Sequence, residues 1–250
     1  AEWAELIIVA PMSATSLSKF VHGNADGLLA STLLAADSQI IVAAAMNTSM
    51  WSNQSVKNNW NIVQKREQVI PLDPSEGLLA CDSIGDGKMI NIDIIELASE
   101  SALIFKAQNK FLTKDLIGQR FLISAGPTVE DLDAARQLTN KSSGLMGVLM
   151  SQAAKLRGAE VDLVHGPVTL KKELLEGLNT YPVRTATQMH SAINDLQPVA
   201  NVIVMAAAVC DFKKTSPSYK KIPKNLLINS ILEDIEITPD IIKKLSSKKL

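Results

Sequence analysis

Aromatic side chains are scarce in this chain, at 4% of 250 residues, so any core it builds must be packed from Ala, Leu, Ile and Val. Hydrophobic residues still make up 46% of the total, which suits parallel sheets covered by helices on both faces. Cysteine is nearly absent. Cys81 and Cys210 stand far apart and match neither a zinc spacing nor a Cys-x-x-Cys pair, which excludes a disulfide framework and fits a reduced, cytoplasmic chain. No apolar run approaches the ~18 residues of a spanning helix, and no basic stretch followed by an apolar one opens the chain. Neither a membrane partner nor a signal peptide is indicated. An excess of one charge is missing too: 25 basic against 26 acidic residues offer nucleic acid no partner. Residues 213–224 and 243–249 are locally basic, read first as solvated surface and second as a phosphate-binding patch.

What is present is alternation. Residues 6–10 (LIIVA) form a buried-strand run stopped by Pro11; 40–44 (IIVAA) form a second and 69–72 a third. Between the first two, 16–36 carries apolar residues at helical spacing, interrupted by Gly23. The scheme restarts at 121–124 (FLIS), which runs into Gly126-Pro127. Residues 142–157 predict a helix closed by Gly158, 161–165 a strand stopped by Gly166-Pro167, 187–196 a helix, and 201–206 (NVIVMA) another strand. Strand and helix in alternation imply right-handed crossovers and parallel sheets. The mixed, polar stretch 111–120 (FLTKDLIGQR) places a boundary that divides the chain into residues 1–112 and 113–250. The chain opens on Ala1 and enters directly into WAELIIVAP, which reads as a strand without its lead-in and predicts a fragment, truncated at both ends.

In open α/β sheets ligands sit beyond the carboxyl ends of the strands, so the residues after each apolar run are the ones that carry function. Pro11-Met12-Ser13-Ala14-Thr15-Ser16 follows the first strand. Taken alone it is a plain N-cap, although small hydroxyl residues there can also meet an anion or a flavin edge. Ala45-Met46-Asn47-Thr48-Ser49-Met50-Trp51 follows the second, where Asn47 alone reads as a turn residue and both Met and the Trp as core. The third stretch, 77–89, is a glycine-rich loop suited to a lid, with Cys81 in it.

In this order and at these separations, the three stretches resemble the flavin-dependent cysteine decarboxylase family, whose motifs read approximately PASANT, PAMNxxMW and a Cys-bearing clamp ending GxGRM. The resemblance covers roughly residues 1–95. It implies a flavodoxin-like, three-layer flavoprotein domain that binds FMN and forms a homo-oligomer. By this resemblance Ser13, Ala14 and Thr15 lie at the flavin, Asn47 binds the substrate carboxylate, and Cys81 is the proton donor after flavin oxidation and loss of CO2. There are departures: Ala44 stands where the family has Pro, Thr15 and Ser16 replace an Asn-Thr ending, and Gly27 replaces an Asp of ADDLL. The family's catalytic His belongs to a segment before residue 1. His22 is not in that position and is read as helix surface, so this piece by itself is expected not to decarboxylate.

In the second half, Ser124-Ala125-Gly126-Pro127-Thr128-Val129-Glu130 leads to Asp133 and Arg136 and continues into Thr139-Asn140-Lys141-Ser142-Ser143-Gly144-Leu145-Met146-Gly147. A Ser-Ser-Gly turn opening a helix offers N–H groups to an anion, or is simply a capped helix. Neither P-loop nor GxGxxG spacing is met. Ala206-Ala207-Ala208-Val209-Cys210-Asp211-Phe212 follows the last strand, then Lys221-Ile222-Pro223-Lys224, and Thr238-Pro239-Asp240 opens a helix with Pro at its first position.

Together these resemble the phosphopantothenate–cysteine ligase family, whose pattern ITAGPTxExIDPVRxxTNxSSGxMG is followed closely over residues 121–147. The AAVADF, KIKK and TPDIL elements come after it in order. The resemblance covers about 116–245 and implies a Rossmann-like ligase domain that uses CTP and Mg2+ to activate 4'-phosphopantothenate as an acyl-cytidylate, which cysteine then attacks. By this resemblance Asn140 stabilises the acyl-cytidylate and Ser142, Ser143 and Gly144 face the phosphate. Ala207 and Ala208 line the site, Asp211 contacts nucleotide or metal, and Lys221 assists attack on the α-phosphate; read from the residues alone, Lys221 and Lys224 can neutralise a triphosphate. Ala134, Leu145 and Pro223 depart from the pattern, and Cys210, His165 and His190 are read as structural. Both motif sets in one chain imply a bifunctional enzyme of coenzyme A biosynthesis. The alternatives are a non-catalytic regulatory or scaffold relative of the decarboxylases, which the presence of Asn47 and Cys81 disfavours, and an NAD-dependent reductase, which the missing GxGxxG disfavours.

Overall fold

The computed structural model describes residues 1–78, 84–232 and 234–246, and the chain divides into two compact units, Ala1–Asp115 and Leu116–Leu250.

The first unit contains β1 (Leu6–Met12), α1 (Ala14–His22), α2 (Leu28–Leu34), β2 (Gln39–Ala44), α3 (Thr48–Ser52), α4 (Gln54–Gln64), β3 (Val69–Leu72), β4 (Ser75–Leu78), β5 (Ile84–Lys88) and α5 (Ile92–Ala107). β1, β2 and β3 form a parallel sheet in that order. Every residue of the central β2 is buried, as expected of a strand covered on both faces. Val9, Ile40, Val42 and Val69 join Leu17 and Phe20 of α1, Leu33 of α2 and Trp60 and Val63 of α4 in one core, while α5 packs on β1 and β2. The expected helix over 16–36 is two helices, because Gly23 takes a left-handed conformation and its N–H caps Lys19 O. Trp51 is buried and Met46 packs against the core, but Met50 is 46% exposed, a correction to its reading as core: it lies on the outer face of the short α3. The segment after α5 is held by Gln39, whose buried side chain donates to Leu112 O and accepts from Leu112 N.

The second unit contains β6 (Arg120–Ala125), β7 (Val129–Asp133), β8 (Arg136–Thr139), α6 (Leu145–Leu156), β9 (Glu160–His165), β10 (Asn179–Pro182), α7 (Ala186–Leu196), β11 (Val202–Met205), β12 (Phe212–Lys214), α8 (Leu227–Leu232), β13 (Ile235–Ile237) and α9 (Ile241–Ser246). Its sheet is parallel in the order β10-β9-β6-β11. Alternation along β6 and β9 sends Ile123, Ala125, Val161 and Leu163 toward α6, and Leu122 and Val164 toward α7 and α9. The chain leaves β6 in one direction for β9 and β10 and returns on the other side as β11. The strand order therefore reverses between β6 and β11, and a crevice opens at their carboxyl ends. The two antiparallel ribbons, β7-β8 and β12-β13, escape apolar pattern reading because their inward residues are largely polar or charged: Glu130 and Asp133 on β7 and Lys214 on β12 are buried. Pro239 is not the first helical residue of α9; Asp240 stands between and its side chain accepts from Lys243 N.

Candidate functional site

In the first unit the loops at the strand tips are joined through main chain. Ala45 N donates to Met12 O, tying the end of β2 to the end of β1, and Met46 N donates to Gly87 O, tying the next residue to the β4-β5 ribbon. The close approach demands glycine. Gly87 has φ +142, and a Cβ there would lie 2.1 Å from Met46 O. Around this spine, Ser13 caps α1 by accepting from Ser16 N, and Asn47 caps α3 by accepting from Ser49 N. Ser13, Thr15 and Asn47 are exposed at this end of the sheet and Ala14 is half-buried beside them. Two hydroxyls, the amides of the first turn of α1 and a small side chain suit the polar rim of a planar heterocycle, so the residues present fit FMN. Cys81 falls outside the described residues, in the connection between β4 and β5. His22 is exposed, with Nδ1 2.8 Å from Ser18 O.

In the second unit the crevice between β6 and β11 is stitched by side chains. Ser124 Oγ accepts from Ala207 N at 3.2 Å, and Thr128 Oγ1 accepts from Cys210 N at 2.9 Å. Asn140 Nδ2 reaches Ala208 O at 3.3 Å and Val209 O at 3.0 Å, while Thr139 Oγ1 donates to Thr128 O. Main chain adds two bonds, Ala208 N to Gly126 O and Thr128 N to Ala208 O. Asn140, Ala207 and Ala208 thus meet at one place. Ser142 and Ser143 accept from Gly144 N and Leu145 N at the start of α6, whose N-cap is Gly144 in a left-handed conformation.

An open cavity of about 440 Å³ lies beside this crevice, lined among others by Met205, Ala207, Val209, Asp211, Thr238 and Asp240. Asp211 and Ala207 share it; neither Asn140 nor Lys221 is among its walls, although Asn140 binds the carbonyl of the wall residue Val209. Lys221 and Lys224 are exposed on a segment fastened to the far end of the β7-β8 ribbon, where Ile222 N donates to Asp133. Among the described residues no group of three or more His, Cys, Asp or Glu gathers to hold a metal. The exposed carboxylate of Asp211, with Asp240 also on the cavity wall, suits a hard cation that keeps its waters and a phosphate as its other ligands, so it fits Mg2+. Cys210 is buried, with Sγ toward Thr128 O. His165 bonds the neighbouring Gly166 O, and His190 lies 3.2 Å from Asn194.

Two carboxyls that stand within the motif of the second unit without a role assigned there, Glu130 and Asp133, are buried on β7. Glu130 Oε1 accepts from Ala186 N at the start of α7, and burial raises its pKa against the pull of that bond and of Lys213. Asp133 is held below the ordinary carboxylate range by the Ala135 and Ile222 amides and Arg136, although burial opposes this. Neither stands in an apolar run, and it is their exposure in the folded chain, 4% each, that reveals them as buried.

Residues 116–250 match the family described as DNA/pantothenate metabolism flavoprotein, C-terminal domain, and residues 1–102 match the flavoprotein family. The chain therefore belongs to the DNA/pantothenate metabolism flavoproteins, with a flavodoxin-like flavoprotein unit first. It is 35% identical over 254 residues to the coenzyme A biosynthesis bifunctional protein CoaBC of Bacillus subtilis, covering 100% of this chain and 59% of that protein. It is 34% identical to a cysteine/cysteine sulfinic acid decarboxylase from an unknown prokaryote, covering 99% of this chain and 67% of the relative. Among solved structures, the C-terminal domain of a CoaBC shares 36% identity over 54% of this chain and 61% of that one, with a TM-score of 0.44. The chain spans about 59% of the length of the bifunctional relatives named here. Among the described residues no helix is long and apolar enough to cross a membrane.

Proposed function

We propose that this chain forms the central part of a bifunctional enzyme of coenzyme A biosynthesis. Its second unit would join 4'-phosphopantothenate to cysteine at the expense of CTP, and its first would decarboxylate the product to 4'-phosphopantetheine. Identity to CoaBC across the whole of this chain supports the pairing of the two activities. The single observation that carries the ligase half is the meeting of Asn140 with Ala207 and Ala208 at the point where the strand order reverses. The 3-2-1-4 strand order is that of a Rossmann-like nucleotide fold.

In this reading the Asn140 amide holds the acyl-cytidylate while the cysteine amine displaces CMP, and the Ser142-Ser143-Gly144 turn receives a phosphate at the start of α6. Lys221 and Lys224 neutralise charge on the triphosphate; Asp211 would hold Mg2+, which would supply further charge stabilisation to the phosphates. In the first unit Ser13, Ala14 and Thr15 hold FMN, and Asn47 fixes the substrate carboxylate. Bound FMN supplies the two-electron acceptor for the thiol-bearing carbon. Cys81 delivers the closing proton, a task suited to a thiol whose pKa can be tuned toward neutrality. The enzyme is expected to work as a homo-oligomer.

The test uses the full-length protein. CTP should be consumed only when 4'-phosphopantothenate is present, and Asn140→Asp should accumulate the acyl-cytidylate. Equal turnover with ATP would sink the nucleotide assignment. Cys81→Ala should release CO2 yet fail to deliver the reduced product; undiminished 4'-phosphopantetheine from that variant would remove Cys81 from the mechanism.

A further inference from the structure

Asp133 is an enclosed carboxylate of the second unit, its side chain 0% exposed, and it lies on β7 away from the cavity walls. Oδ1 accepts from Ala135 N at 2.8 Å and closes the β7-β8 turn. Oδ2 looks elsewhere: it accepts from Ile222 N at 3.1 Å and from Arg136 Nη1 at 2.8 Å. The same Arg136 nitrogen donates to Ile222 O at 3.0 Å, so carboxylate and guanidinium grip both ends of one residue 86 to 89 positions away in sequence. Ser218 N adds a bond to Leu132 O, and Ser218 Oγ bonds the main chain of Lys220 on both its amide and carbonyl sides. Ile222 is buried, whereas the lysines that flank it, Lys221 and Lys224, are exposed. A buried charge is retained only where the whole set of its partners is satisfied. What that set fixes is not the core but the path of the lysine segment.

We propose that Asp133 is a positioning residue for Lys221: through the Ile222 peptide it sets where the ammonium groups of residues 221 and 224 are presented to a triphosphate. This rests on the ligase reading above and names a component of it that touches neither substrate nor nucleotide. The physical reason is reach. A lysine side chain has four rotatable methylenes, so it delivers charge to one point only if the backbone at its root is held. An error of about 1 Å in placing such a group costs up to about a hundred-fold in rate.

The full-length protein carrying Asp133→Asn, Lys221→Gln and both together provides the test, with Asp131→Asn on the same strand as control. Asn at 133 keeps an acceptor for Ala135 N but turns an NH2 group toward Ile222 N. The expected result is a loss of kcat for CTP-dependent ligation of ten- to a hundred-fold in Asp133→Asn. The double variant should be no slower than Lys221→Gln alone, because both changes remove the same contribution. Amide exchange at Ile222 should accelerate in Asp133→Asn and stay unchanged in Asp131→Asn. Additive losses in the double variant, or an Ile222 amide that exchanges equally fast with and without Asp133, would overturn the positioning role. Full activity of Lys221→Gln would instead overturn the ligase role of Lys221, and the proposal with it; accelerated Ile222 exchange in Asp133→Asn then marks the failure as one of chemistry rather than of the clamp. Should Asp133→Asn fail to fold, Asp133→Glu, which keeps the charge and shifts it by one methylene, gives the same non-additivity with Lys221→Gln.

Discussion

The two units hold their strand tips by different means. In the first, the loops after β1 and β2 and the β4-β5 ribbon are joined by carbonyls and amides, Met12 to Ala45 and Met46 to Gly87. In the second, the loops after β6 and β11 are joined largely by side chains: Ser124 to Ala207, Thr128 to Cys210, Asn140 to Ala208 and Val209, Glu130 to Ala186 and Asp133 to Ile222. Main-chain joints constrain sequence only through glycine and through residues small enough to permit approach. Side-chain joints constrain it at every stitch. This is why the motif of the second unit runs almost unbroken over 121–147 while that of the first is three short pieces.

Substitutions can break or sharpen that contrast. Gly166→Ala should be the most damaging, because a Cβ there would fall 1.6 Å from Pro127 O and force backbone to move. A loss of about 3 kcal/mol is expected, read as a lowered denaturation midpoint at unchanged slope. Thr128→Val keeps the shape but leaves the buried Cys210 N–H unpaired, and should cost about 2 kcal/mol in the same measurement. Ser13→Ala, the comparable change at a strand tip of the first unit, removes only an exposed cap and should cost about 1 kcal/mol or less. If Ser13→Ala proves as costly as Thr128→Val, the contrast between main-chain and side-chain stitching is wrong.

Glu130 sharpens the contrast through pH. Burial raises its folded-state pKa above the unfolded value, so folding favours the protonated form. The stability it lends is fully present below the ordinary carboxyl pKa and is lost as pH rises through the raised folded value. Glu130→Gln retains an acceptor for Ala186 N without the titration, so thermal melts across pH 4 to 8 should show a smaller decline on the alkaline side for the variant. Parallel curves would remove the carboxyl as the cause.

Much of the fold could be read from the chain itself, and for a plain reason. The six strands of the two parallel sheets with apolar runs, from 6–10 through 201–206, range from the fully buried β2 to the half-buried β11 and announce themselves by composition. What stayed hidden obeys other rules. The β7-β8 ribbon carries Glu130 and Asp133 inward, and the β12-β13 ribbon buries Lys214, whose Nζ is satisfied by Ser230 O and Asp234. Polar residues that are buried because they are paired cannot be told from exposed ones without knowing the pairing. The same holds at the site. Asn140, Ala207 and Ala208 came together because each sits just past a recognisable strand or within a long motif. The place of Lys221, outside the Asp211 cavity, depends on a bond from Asp133 to Ile222 that spans 89 positions and leaves no periodic trace.

Gln39 bears on where the first unit ends. Its carboxamide serves Leu112 as a neighbouring strand would, accepting from one side of the residue and donating to the other, inside a region closed to water. The match to the flavoprotein family ends at residue 102, but a piece cut there would strand both ends of that amide in an apolar setting. An excised flavoprotein unit should therefore carry the chain past Leu112, and the ten residues beyond the matched region belong to its architecture rather than to a spacer.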